Sequence, residues 1–120
     1  MNTREEGKIG EERAVKFLEE KGVKICERNY RLRNGEIDII GRDGDYLVFF
    51  EVKLRHRGGL ESAGAAVTKE KQRTICAVSD HYRLKKMISE DTGIRYDVIA
   101  INDEGIEWYK NAFDYRGQGY

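Results

Sequence analysis

Leu47-Val48-Phe49-Phe50 is the segment that most restricts the fold. It is a short apolar run between the turn residues Asp43-Gly44-Asp45 and the polar Glu51, with a strand's length rather than a helix's. Successive side chains of a strand point to opposite faces, so such a run needs apolar cover above and below. It predicts a central strand from Tyr46 to Arg55, in a sheet with a packed layer on each side.

The neighbouring patterns supply that sheet and those layers. Val23 to Arg33 and Glu36 to Gly41 read as strands joined at Asn34-Gly35, a strong hairpin signal because both turn residues tolerate positive φ. Arg42-Asp43-Gly44-Asp45 supplies the next turn, which makes an antiparallel meander. Before it, Arg4 to Lys21 is helical in pattern, with Ala14, Phe17 and Leu18 as its apolar stripe and Gly22 as the C′ residue. Thr3 with Glu6 has the form of a capping box at its start. After the glycine-containing segment His56 to Gly64, a second helix is expected from Thr68 to Lys86, with Ile75, Val78 and Tyr82 inward. Ile94 to Ile101 and Ile106 to Lys110 complete the strands, around a turn at Asp103-Glu104-Gly105. The order α-β-β-β-α-β-β predicts an α/β fold, a mixed sheet of about five strands with helices on both sides. Its 120 residues suit one domain, with 111–120 as a C-terminal tail frayed at its end.

Charge narrows the function. Charged residues are 37% of the chain, yet Lys plus Arg and Asp plus Glu both number 22. A net charge of zero argues against attachment to nucleic acid by bulk positive charge alone. It leaves room for an acidic site offset by a bound cation and nearby basic residues. Cys26 and Cys76 have no Cys or His partner at ligand spacing, so reduced core thiols are expected rather than a zinc site. The charged N-terminus has no signal-peptide pattern, and no apolar run reaches membrane-spanning length. The expectation is a cytoplasmic protein with no membrane partner.

Chemistry enters where the strands break their own rule. After the apolar run, Glu51, Lys53 and Arg55 share one strand face, and Glu36 and Asp38 share a face of the preceding strand. Charges inside core-like strands mark functional positions. An even loop between these strands makes paired residue numbers sum to an odd value. Sums of 87 or 89 pair Glu51 with Glu36 or Asp38, and either puts Glu36, Asp38, Glu51 and Lys53 on the same face. Carboxylates crowded in this way repel unless a cation joins them, and an all-oxygen set suits Mg²⁺ or Mn²⁺. Each helix adds one charged residue at the end of its buried stripe, Glu11 from the first and Lys71 from the second, with Gln72 beside Lys71. Arg28, Arg31, Arg33, Arg55, His56 and Arg57 form a basic group around the meander, suited to phosphates. Asp97, apolar on both sides in sequence, is expected to partner an arginine. Tyr96, Trp108 and Tyr109 read as core or sheet-face aromatics.

The blocks Gly35 to Ile40 (GEIDII) and Val48 to Arg55 (VFFEVKLR) resemble the D-x(n)-(D/E)-x-K signature of the PD-(D/E)XK, or restriction-endonuclease-like, superfamily. The wider pattern is similar to the UPF0102 (YraN-like) family within it. It comprises G-x-x-x-E-x-x-A from Gly7 to Ala14, R-N-Y-R from Arg28, GEID, EVK-x-R, a second-helix lysine, R-Y-D-V from Arg95 and N-A-F from Asn111. The resemblance implies an α-β-β-β-α-β endonuclease core, related also to Holliday-junction resolvases. It further implies that Asp38 and Glu51, with Glu11 and the Val52 carbonyl, hold Mg²⁺ or Mn²⁺. Lys53 would orient or activate water, with Lys71 in support. Arg31, Arg33, Arg55, Arg57, Lys71 and Gln72 would contact nucleic acid, DNA in preference to RNA, and a homodimer would suit two-strand cutting. A different class of reading is a nucleic-acid-binding or assembly module that keeps the nuclease fold without cutting.

Overall fold

The computed structural model describes residues 3–55 and 67–117. The expected contributions of His56 and Arg57 lie outside these. The elements are α1 (Thr3–Glu20), β1 (Lys24–Leu32), β2 (Gly35–Asp43), β3 (Tyr46–Leu54), α2 (Lys69–Lys85), β4 (Gly93–Asn102) and β5 (Gly105–Tyr109). Strand order in the five-stranded sheet is β1-β2-β3-β4-β5. Only the β3–β4 pair is parallel, and α2 makes the crossover between them.

The apolar run behaves as its pattern requires. Leu47 and Phe49 enter a core cluster with Ile75, Val78 and Tyr82 of α2. Val48 and Phe50 enter the opposite cluster, with Ala14, Val15 and Leu18 of α1. The sheet is therefore the middle of three layers, and β3 is its central strand. α1 ends as expected: Gly22 has φ 91°, Val23 N–H donates to Leu18 O at 2.9 Å and Gly22 N–H to Glu19 O at 3.0 Å. Thr68 caps α2, its hydroxyl accepting from Lys71 N–H at 3.1 Å. Cys76 is a buried free thiol, whereas Cys26 is exposed rather than in the core.

The first hairpin differs from expectation. Leu32 pairs with Gly35, so the two turn residues are Arg33-Asn34, and neither has positive φ. Pairing of Tyr30 with Ile37, both buried in the α2-side core, fixes this register. Gly35 answers a different need, because a Cβ there would lie 2.3 Å from Thr74 Cγ2 of α2. The helix packs onto the bare strand backbone.

A second departure lies one step further along the same pair. Ile37 belongs to the α2-side cluster and Ile39 to the α1-side cluster, although alternation would put them on one face. On β1, Tyr30 faces α2 while Arg28 reaches Glu11 and Glu12 of α1. Between Arg28 and Tyr30 lies Asn29 with φ 53°, a conformation that asparagine tolerates better than most residues. The change of face at Asn29 and Asp38 is what shapes the site.

The last two sequence blocks are structural. Asp97 is fully buried and accepts from Arg95 (2.7 Å from Nη2), Trp108 Nε1 (2.8 Å) and Asn111 N–H (2.8 Å). Phe113 stacks on Tyr96 with ring centroids 5.3 Å apart, and Tyr115 donates to Asp80 at 2.8 Å. Residues 111–117 thus dock along β4 and α2, and the tail's last residues lie outside those described. Among the described residues no helix is long and apolar enough to cross a membrane.

Candidate functional site

β2 and β3 pair from Asp43↔Tyr46 to Ile39↔Phe50, a sum of 89, and there the backbone ladder stops. One residue further, the Asp38 side chain takes over: its Oδ2 accepts the Val52 N–H at 2.8 Å. A carboxylate therefore fills the place of a strand carbonyl at the fork between two strands.

Glu51 comes from the other strand of the fork. It is 8% exposed, and its carboxyl lies within hydrogen-bonding reach of Asp38. Among the described residues Glu51 Oε2 has no hydrogen-bond partner; Lys71 Nζ of α2 stands 3.7 Å away. Burial, and then the hydrogen bond and charge of Glu51, push the Asp38 carboxyl up to about 8, against the opposing pull of the Val52 N–H. In the absence of a cation, a proton on Asp38 relieves the repulsion.

The face assignment is corrected in detail. Glu51 and Lys53 lie on the α2 side, registered with the α2-side residues Val98 and Ala100 of β4. Asp38 instead lines a cleft of about 250 Å³ on the α1 side with Glu11, Asn29, Glu36 and Val52. The two carboxyl groups still meet because β2 changes face at the fork. The expected common face for Glu36, Asp38, Glu51 and Lys53 fails for that same reason: strict alternation does not survive the Asn29–Asp38 step.

The remaining candidates divide. Glu11 shares the Asp38 cleft but is held by Asn29 Nδ2 at 2.7 Å and Arg28 Nη2 at 3.3 Å. Among the described residues no three His, Cys, Asp or Glu side chains converge closely enough to enclose a metal ion. Lys53 is partly exposed and forms no ion pair among the described residues. Glu36 pairs with its cross-strand neighbour Arg31 at 3.0 Å. Arg31, Arg33 and Lys71 border one groove at the hairpin tip. Arg55 lies elsewhere, beside Ile9 and Arg13 on the far flank of α1, and donates to its neighbour's carbonyl, Leu54 O, at 3.1 Å. Both ends of the Gln72 amide are engaged, by Val67 O at 2.9 Å and Arg116 Nε at 2.6 Å. Asn29 is the site residue that pattern reading passed over; its signal was a positive-φ-tolerant residue inside an alternating strand.

The donor set fits a hard divalent cation: two adjoining carboxyl groups, one oxygen of them buried and unpartnered, with the other coordination positions left to water. Comparison with known proteins places this fork in a family. The sequence model of "Uncharacterised protein family UPF0102" matches residues 10–101. The chain belongs to the UPF0102 family. A UPF0102 protein of Dechloromonas aromatica (strain RCB) is 45% identical over 107 residues, covering 89% of this chain and 87% of the relative. One from Legionella pneumophila (strain Corby) is 42% identical over 114 residues, covering 93% and 97%. One from Lachnoclostridium phytofermentans is 43% identical over 117 residues, covering 98% and 99%. The UPF0102 match spans Glu11, Asp38, Glu51, Lys53 and Lys71, and also the structural pair Arg95 and Asp97.

Proposed function

We propose that this UPF0102 chain is a metal-dependent endonuclease acting on DNA phosphodiesters. The observation that carries the reading is the Asp38–Glu51 pair: two carboxyl groups brought together at a strand fork, one oxygen buried without a hydrogen-bond partner, with lysines close by. Such an arrangement costs stability unless it serves a ligand.

Asp38 and Glu51 would hold Mg²⁺ or Mn²⁺, with Glu11 reaching it through water. Bound there, the ion would supply polarisation of a phosphate oxygen and a lowered pKa for a coordinated water. The chain's own groups do the rest. The Val52 N–H fixes the Asp38 carboxylate, so only its second oxygen and those of Glu51 are left to turn toward a ligand. Lys53 orients the attacking water and offsets charge building on the phosphorus oxygens. Lys71, with its Nζ 3.7 Å from Glu51, faces the same phosphate. Arg31 and Arg33 at the hairpin tip hold flanking phosphates.

One observation favours the non-cleaving module instead, namely that only two acids adjoin. The assay that separates the readings incubates labelled branched, single-stranded and duplex DNA with the protein in Mn²⁺, Mg²⁺ or EDTA. Cutting is expected only with metal, lost in Asp38→Asn and reduced about 10²-fold or more in Lys53→Ala. Tight binding without cutting of any substrate would support the module and reject the nuclease.

A further inference from the structure

α1 contains two glycines three positions apart, and packing accounts for only one. Gly10 is buried, and a Cβ there would lie 2.6 Å from Leu54 Cδ2, so a side chain at this position would force Leu54 of β3 to move. Gly7 is different. It is exposed, its φ is not positive, and a Cβ there would meet nothing within 4 Å among the described residues. Alanine would make a better helix at that position and would collide with none of the described residues.

The surroundings of Gly7 suggest what the bare backbone is for. Gly7 lines the same cleft as Glu11, Asn29, Asp38 and Val52. That cleft continues past Glu11 and Asn29 into a larger groove of about 630 Å³ bordered by Arg4, Glu5, Lys8, Arg28 and Arg31. Arg28 is engaged by Glu12 at 2.7 Å and Arg31 by Glu36 at 3.0 Å, so the cations that α1 itself brings to the groove are Arg4 and Lys8. A bare helix backbone beside Asp38, opening onto a groove where Arg4, Lys8, Arg28 and Arg31 outnumber Glu5 and Glu11, matches a polyanionic chain that must approach closely.

We propose that Gly7 is a clearance position: its missing side chain lets a sugar–phosphate backbone pass over α1 into the Asp38 cleft, with Arg4 and Lys8 against the flanking phosphates. The inference rests on the nuclease reading for the identity of its ligand and extends it by naming the path of the strand. On that path the size of residue 7 governs binding, while the fold is indifferent to it or gains from alanine.

The test compares the full-length parent with Gly7→Ala, Gly7→Leu and Gly10→Ala. It uses melting temperature, the melting shift given by Mn²⁺, and affinity for a fluorescein-labelled four-way DNA junction and a labelled duplex. Gly7→Ala should melt at or above the parent and bind more weakly. Gly7→Leu should retain the Mn²⁺ shift and lose about tenfold or more in affinity, the effect of overfilling a close contact. Gly10→Ala should melt lower, the reverse pattern. Gly7→Leu binding DNA as well as the parent would overturn this inference alone. So would Gly7→Ala melting well below the parent, since the glycine would then serve the fold. A parent that binds no DNA in either form would overturn the nuclease reading and the strand path with it.

Discussion

Asp97 and Glu51 sit on neighbouring parallel strands, one residue apart in register, and solve the burial of a carboxylate in opposite ways. Asp97, level with Phe50, is fully buried and given three donors: the Arg95 guanidinium, the Trp108 indole and the Asn111 amide. Glu51, level with Val98, is nearly as buried but is set against another carboxyl group, and among the described residues its Oε2 has no hydrogen bond, only the Lys71 ammonium 3.7 Å away. A buried charge with a full set of partners holds a fold together. A buried charge that lacks them is held in place by the rest of the fold, as a carboxylate kept for a ligand would be. Acidic residues in core-like strands are thus two different things, and donor count tells them apart.

The largest effect should come from breaking the satisfied site. Asp97→Ala removes the partner of a buried arginine and the anchor of the Asn111–Phe113 segment, and should destabilise the protein by about 3–5 kcal/mol in denaturant titration. A variant as stable as the parent would erase the contrast, since Asp97 would then be no better placed than Glu51.

The smaller and opposite effect belongs to the unsatisfied site. Asp38→Asn keeps an oxygen for the Val52 N–H and removes one of two repelling charges. It should raise metal-free stability by about 0.5–2 kcal/mol, as substitutions in strained functional sites commonly do. The pH dependence sharpens this. Because the folded Asp38 carboxyl is raised, its protonated form adds stability at low pH. That stability is lost as pH climbs from the ordinary aspartate value of 3.8 through about 8. Asp43 works the other way: its hydrogen bond to Arg95 lowers it, so its contribution is present above the ordinary aspartate range and fades as pH falls through the folded value. Metal-free parent should therefore lose stability from mildly acidic to alkaline pH, and Asp38→Asn should flatten that slope while leaving the acid limb of Asp43. Equal slopes in the two proteins would show that Asp38 is not under strain.

Most of the fold was legible because burial dictates it. Four apolar residues could only be central, and the helix end at Gly22 follows from local chemistry. The hairpin was read one residue late because Gly35 carries a turn signal but exists for the approach of Thr74, a contact that depends on tertiary packing. The register of β2 on β3 followed from loop parity, since the realised sum of 89 is one of the two expected, although the ladder ends at Ile39↔Phe50, one step short of Asp38 and Glu51. What pattern reading could not supply was the change of face between Ile37 and Ile39 on β2, which lies across from the positive φ of Asn29 on β1. Nor could it place Arg55, which strand alternation joined to the acidic pair and which instead lies across α1. Asp97 was legible as an arginine's partner; its tie to Asn111 across the β5 hairpin was not.

The most direct measurement is a thermal melt of the parent and Glu51→Gln, each with and without Mn²⁺. If the fork is a cation site, the parent's melting temperature rises with Mn²⁺, because the ion binds the folded state in preference to the unfolded one. Metal-free Glu51→Gln should melt at least as high as the metal-free parent and gain nothing from the ion. A parent whose melting ignores Mn²⁺, or a variant that melts lower than the parent without it, would mean that Glu51 is a structural ion-pair partner of Lys71 and that the fork holds no metal.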